Sequence, residues 1–90
     1  MKSQDQKSIQ SFKEKLEQEY SWPAIYTFKF IVPRDKKTDV TKLFLNHEVL
    51  EKQSSKGNYI SITIKTMAIS SDFIIDYYIK ASTIEGVISL

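Results

Sequence analysis

A polar turn followed by a strictly alternating segment limits the folds that are open to this chain of 90 residues. Glycine has no Cβ and asparagine tolerates the left-handed region, so Gly57 and Asn58 can both take the positive φ angles of a tight hairpin. After Tyr59, six side chains alternate between apolar and polar: Ile60, Ser61, Ile62, Thr63, Ile64 and Lys65. This alternation predicts a β-hairpin whose second strand has one buried face.

Apolar positions three or four residues apart predict three helices. The first ends before the Trp22-Pro23 pair, because the residue before proline is disfavoured in a helix, and its apolar stripe comprises Ile9, Phe12, Leu16 and Tyr20. The second helix is short and begins at an N-cap formed by Thr38 or Asp39. Its inward-facing side chains are those of Val40, Leu43 and Phe44. The third begins at Ser70 or Ser71 and buries Ile74, Ile75, Tyr78, Ile79 and Ala81.

Four strands complete the predicted order of elements. The first covers residues 24–32 and turns its aromatic face to the core: Tyr26, Phe28, Phe30 and Val32. The others cover residues 48–53, 59–66 and 84–90. After Trp22 the order is βαββαβ, which predicts an α+β, ferredoxin-like fold: a four-stranded antiparallel sheet with two helices on one face. We divide the chain into a polar amino terminus with an extra amphipathic helix (1–21) and a single ferredoxin-like domain (22–90).

Composition excludes several kinds of chemistry. Cysteine is absent and His47 is the single histidine, so Cys-based metal sites, thiolate nucleophiles and paired histidine ligands are excluded. We expect His47 to lie at a helix end, facing solvent or the helix dipole. The net charge of +2 is too small to imply a nucleic-acid partner. No apolar run reaches the ~18 residues of a membrane span, and residues 1–7 lack the apolar segment of a secretory signal. We expect a cytoplasmic protein that is not an enzyme, with no metal, no cofactor and no membrane partner.

Four segments together carry a resemblance to a known family: Trp22-Pro23, the strand at 26–33, the turn at 55–59 with Ser61 after it, and the ending at 84–90. With them, residues 9–90 resemble the YbeD-like family of small bacterial proteins of unknown function, and in particular its Bacteroidetes branch. The resemblance implies a ferredoxin-like fold similar to that of ACT regulatory domains. It further implies a role in regulating lipoate or amino-acid metabolism.

Two functions from different classes are compatible with these patterns. The first is a non-enzymatic regulatory or adaptor domain that binds an unknown protein or a small anionic ligand, with candidate binding residues Lys56, Gly57, Asn58, Tyr59 and Ser61. Its binding surface would be the sheet face without domain helices, where the amphipathic helix would serve as a cover or as a clasp in a homodimer. The alternative is an RNA-binding module that stacks bases on Tyr59 or Tyr26. The same turn also has a purely structural explanation, in which Gly57 and Asn58 shape the hairpin and Tyr59 packs at the start of the strand.

Overall fold

A computed structural model of the chain describes residues 6–54 and 56–90 as a four-stranded antiparallel sheet with helices packed on one face. The strands are β1 (Ala24–Pro33), β2 (Val49–Gln53), β3 (Tyr59–Ala68) and β4 (Ile88–Ser89). The helices are α1 (Gln6–Glu19), α2 (Lys37–Thr41) and α3 (Ser71–Ser82), and two 3₁₀ turns, Arg34–Lys36 and Lys42–Phe44, flank α2. The strand order β2-β3-β1-β4 confirms the predicted ferredoxin-like arrangement with an additional amino-terminal helix.

Pairing of β1 with β3 forms the centre of the sheet and one wall of the core. The two strands pair along ten residues each, from Ala24 opposite Ala68 to Pro33 opposite Tyr59. Three successive inner pairs are completely or almost completely buried: Phe28–Ile64, Phe30–Ile62 and Val32–Ile60. Because side chains alternate between the faces of a strand, this register leaves the intervening residues on the opposite face. The predicted core face of β1 is therefore confirmed.

The two domain helices close the core from the other side. Val40 and Phe44 are buried beneath α2 and the turn after it, as predicted. The predicted N-cap at Thr38 or Asp39 is wrong, because the 3₁₀ turn Arg34–Lys36 runs directly into the helix and Lys36 occupies the cap position. The cap of α3 is confirmed at Ser70, whose Oγ accepts a hydrogen bond from the backbone N–H of Phe73 at 3.2 Å.

The last strand is much shorter than predicted. Residues 84–87 form a turn after α3, in which the N–H of Ile84 donates to Ala81 and that of Val87 donates to Ile84. Gly86 has φ of +82°, and a Cβ at this position would lie 2.7 Å from Cγ of Pro33. This close approach requires glycine, since a side chain would collide with the proline ring. Only Ile88–Ser89 therefore pair with β1 as β4.

The amino-terminal helix packs on the helical layer of its own domain. Leu16 is 3% exposed and belongs to the main core. Phe12 meets the ring of Tyr78 edge-on, with 5.4 Å between ring centroids, and Lys13 Nζ lies 2.7 Å from Asp72 Oδ1 on α3. The proposed role of this helix as a cover for the open sheet face is therefore wrong, because its apolar stripe is used on α3, on the other side of the sheet.

We expect the substitution Leu16→Ala to lower the free energy of unfolding by about 2–4 kcal/mol, because it leaves a cavity in the core. Gln18→Ala on the exposed side of α1 is the matched control and should change it by less than about 0.5 kcal/mol. Urea unfolding followed by tryptophan fluorescence measures both. Equal stabilities of the two variants would show that α1 does not pack on its own domain.

Candidate functional site

The hairpin between β2 and β3 is closed by hydrogen bonds to Ser54. The N–H of Ser54 donates to the carbonyl of Tyr59 at 2.9 Å, and the N–H of Gly57 donates to the carbonyl of Ser54 at 3.0 Å. Gly57 has φ of +74°, as the turn pattern predicts. The same prediction for Asn58 is wrong, because no non-glycine residue in the described chain has a positive φ. Among the described residues of the turn, Gly57 is the left-handed one.

The hairpin tip is joined to the segment that follows β1. The backbone N–H of Arg34 donates to the carbonyl of Asn58 at 3.0 Å. The Arg34 side chain also reaches the tip, with 3.5 Å from its Nη1 to the carbonyl of Gly57. The carbonyl groups of Gly57 and Asn58 are therefore hydrogen-bonded to Arg34. The side chains of Lys56 and Asn58 are exposed.

The five residues predicted as a binding site fall into two groups. Tyr59 and Ser61 line a shallow depression of about 260 Å³ on the open face of the sheet, meaning the face opposite the helices; its other lining residues are Ile31, Lys52, Gln53 and Ser54. Lys56, Gly57 and Asn58 belong to the tip and do not line it. The geometry thus brings Tyr59 and Ser61 together with side chains from β1 and β2.

The open face combines apolar and basic side chains. Cross-strand pairing places Ile25 beside Met67, and these side chains are 57% and 53% exposed. Leu50 on β2 and Ile88 on β4 add further exposed apolar surface. Exposed apolar side chains that adjoin across strands, as Ile25 and Met67 do, are found at interaction surfaces.

The charged side chains on the described strands of this face are all lysines. Lys29, Lys52 and Lys65 come from three different strands, and the register places them opposite threonine or serine. Glu51 points to the helical side of the sheet, where its Oε1 forms an ion pair with Nζ of Lys37 at 2.8 Å. On the described strands, this face therefore carries positive charge and no carboxylate. The sequence analysis did not place Leu50 and Lys52 on the open face. The alternation Leu50, Glu51, Lys52 is the signal that could have indicated them.

Aromatic side chains lie mainly on the other face. Tyr26 points to the helices, where its hydroxyl hydrogen-bonds that of Tyr78 at 2.9 Å. Burial raises the pKa of both phenols; the mutual hydrogen bond raises the pKa of Tyr78 further and opposes the rise at Tyr26. Both groups are consequently uncharged at neutral pH. Tyr59 is the aromatic residue that the described strands place on the open face.

A second concave region lies beside these tyrosines. It is a groove of about 440 Å³, bounded by α1, α3 and the end of the chain; its lining includes Ile9, Phe12, Tyr26, Ile79 and Leu90. None of the five predicted site residues contributes to this groove. The sequence offered no indication of it, because its walls come from segments far apart in the chain.

His47 is partly buried rather than surface-facing. Its ring meets those of Phe44 and Tyr77 edge-on, at 5.9 Å and 6.0 Å between centroids. Residues 6–54 and 56–90 contain no group of three or more His, Cys, Asp or Glu side chains placed to hold a metal ion. Within the same residues, no helix combines the length and the apolar character needed to cross a membrane.

Comparison with known proteins identifies a family but no characterised relative. The model of a family described as "Protein of unknown function (DUF493)" matches residues 17–90. The chain belongs to this family. No curated protein and no solved structure matches the chain. The matched region contains the whole sheet, α2 and α3, and it begins inside α1.

Replacing each of the two left-handed glycines should separate backbone strain from steric clash. Gly57→Ala should destabilise the fold by about 1–2 kcal/mol, because alanine is strained at positive φ. Gly86→Ala should cost more, since its Cβ would also collide with Pro33. Chemical denaturation gives both values. A smaller loss at Gly86 than at Gly57 would contradict the packing of the turn against Pro33.

Removing a hydroxyl from the tyrosine pair should change how stability depends on alkaline pH. The folded state holds the Tyr26 and Tyr78 protons more tightly than the unfolded chain, whose tyrosines titrate near pH 10. Their contribution is therefore complete below about pH 10 and is lost as pH rises through the folded pKa values. We expect the unfolding free energy of Tyr78→Phe to fall less steeply above pH ~10 than that of the wild type. Parallel slopes in urea titrations would refute this coupling.

Proposed function

We propose that the protein is a non-enzymatic regulatory or adaptor domain that binds a partner protein through the open face of its sheet. The observation that carries this proposal is the composition of that face: its described strands carry Lys29, Lys52 and Lys65 and no carboxylate, together with exposed apolar side chains. Such a face suits a partner whose acidic side chains surround an apolar patch. Charge complementarity of this kind accelerates association and selects among partners.

The hairpin tip extends the proposed binding surface at one end. Tyr59 and Ser61 connect the depression on the open face to the exposed side chains of Lys56 and Asn58. Because Arg34 holds the main chain of the tip, these side chains project from a fixed support. A rigid support lowers the conformational entropy that binding must overcome.

Family resemblance supports the regulatory part of the proposal. The segments described above resemble YbeD-like proteins, and these are similar in fold to ACT regulatory domains. On that basis we propose a role in the control of lipoate or amino-acid metabolism, and we keep the cytoplasmic location that the sequence predicts. Resemblance of fold does not by itself establish an activity, so this assignment depends on finding the partner.

Charge reversal on the open face tests the proposal directly. The double variant Lys29→Glu/Lys65→Glu should reduce capture of the partner from a lysate of the native cell at least about tenfold, a loss of roughly 1.4 kcal/mol. The matched control is Lys15→Glu/Lys42→Glu, which makes the same charge change at exposed positions on the helical side. Quantitative mass spectrometry of the captured proteins measures both, and the control should capture as much partner as the wild type.

Two further arms of this experiment separate the alternatives. Lys56→Ala/Asn58→Ala changes the tip while retaining Gly57, so a loss confined to this variant would move the site from the face to the tip. If nuclease treatment abolishes capture, the ligand is RNA. If the Lys29→Glu/Lys65→Glu variant captures everything that the wild type captures, the proposal is refuted.

A further inference from the structure

Strand β4 covers only a short part of the edge of β1. It pairs with Phe30 and Ile31, and the N–H of Leu90 donates to the carbonyl of Lys29 at 2.9 Å. In an antiparallel sheet the backbone groups of every second residue point to the same side. Those of Thr27 and Ile25 therefore point out from the same edge as Lys29. Within the described chain, neither residue has a backbone partner on this side.

Between Ala24 and Phe28, this part of the edge carries neither a charged residue nor a proline. Natural edges carry charges or prolines or are very short, because unpaired N–H and C=O groups invite pairing with another chain. The opposite edge follows that rule, since β2 is five residues long and carries Glu51 and Lys52. At the β1 edge, by contrast, the exposed residues are Ile25 and Thr27.

An apolar groove lies beside the same residues. Tyr26, between Ile25 and Thr27, lines it, and Leu90 lines it at the point where β4 stops. Ile9 and Phe12 of α1 and Ile79 of α3 provide apolar walls. The hydroxyls of Tyr26 and Tyr78 hydrogen-bond each other at 2.9 Å, so each has a polar partner within the protein while the rings border the groove.

We propose that an extended segment of a partner protein adds to the sheet beside Ile25 and Thr27, in line with β4. Its main chain would pair with the unpaired groups of β1. Every second side chain of the segment would enter the groove, and the alternate ones would lie next to Ile25 on the open face. The partner therefore carries apolar residues at alternate positions of an extended stretch, which is recognition by β-strand addition.

Two independent observations select this occupant. Unpaired backbone groups that recur at every second residue match an extended chain and do not match a helix, whose backbone groups are bonded internally. The groove continues the established β1–β4 pairing in the same line, and its volume falls within the range of natural ligand pockets. This site uses the edge of β1 and not the lysines of the open face. The peptide experiment therefore tests it separately from the function proposed above.

A synthetic peptide provides the probe. We suggest a capped heptapeptide of alternating valine and threonine with a terminal lysine for solubility, added to ¹⁵N-labelled protein. The backbone amide signals of Ile25 and Thr27 should shift and saturate at peptide concentrations of ~1 mM, the range expected for a short strand. A control peptide keeps the side chains but is N-methylated at the residues that face β1. It should bind at least about tenfold more weakly.

A matched pair of variants tests the same edge from the side of the protein. Thr27→Pro removes the N–H that points out of the sheet while leaving the β1–β3 bonds intact, because this residue faces the other way. Thr27→Ala is its control. We expect the proline variant to lose peptide binding at least about tenfold and the alanine variant to lose less than about threefold.

Several outcomes would overturn the proposal. Equal binding of the N-methylated peptide would show that the groove takes apolar side chains without strand pairing. Shifts centred on Thr63 and Lys65 would place the peptide on the open face. The absence of any shift at ~5 mM peptide would exclude the site at useful affinity. Dimers in sedimentation experiments, with the Ile25 and Thr27 amides protected from exchange without peptide, would assign the edge to a second copy of the chain. If Thr27→Pro fails to fold, the two peptides alone decide.

Discussion

Pairing of β1 with β3 determines where almost every other element can lie. Its ten-residue register buries Phe28, Phe30 and their isoleucine partners under the helices. The same register collects lysines and exposed apolar side chains on the opposite face. A shift of one residue would exchange the two faces, placing Lys29 in the core and Phe28 in solvent. The core and the candidate binding surface are therefore two consequences of one alignment, and neither can change without the other.

Much of this fold could be predicted from local sequence patterns. The errors come from contacts between distant parts of the chain. Alternation and aromatic content were sufficient for β1 and β3, because a half-buried strand repeats with period two. The predicted β4 was too long because residues 84–87 form a turn instead of a strand. In this turn Gly86 packs against Pro33, which lies 53 residues earlier in the chain. The stripe Ile9, Phe12, Leu16 and Tyr20 predicted an amphipathic helix. Periodicity identifies the apolar side of a helix but not its neighbour, so the packing of α1 on α3 could not be anticipated.

The candidate site was less accessible to prediction than the fold. Gly57 was recognised because a tight turn has a strong local signature, whereas the lysines of the open face come from three strands and meet only through the register. Their collective charge is invisible in a net charge of +2 for the whole chain. The groove that Tyr26 lines is built from four separate segments and has no local signature in the sequence. The open face was predicted as the binding surface, but the side chains that β2 and β4 add to it follow only from the strand pairing.

The position of α1 has a consequence for comparing members of the family. The family model begins at residue 17, so the part of the helix that carries Ile9 and Phe12 precedes it. That part nevertheless packs on Tyr78 and forms one wall of the groove, while the floor at Tyr26 lies within the matched region. The groove is thus built partly from the matched region and partly from residues that precede it. Substitutions before residue 17 would therefore reshape one wall of the groove while the β1 edge beside it stayed the same.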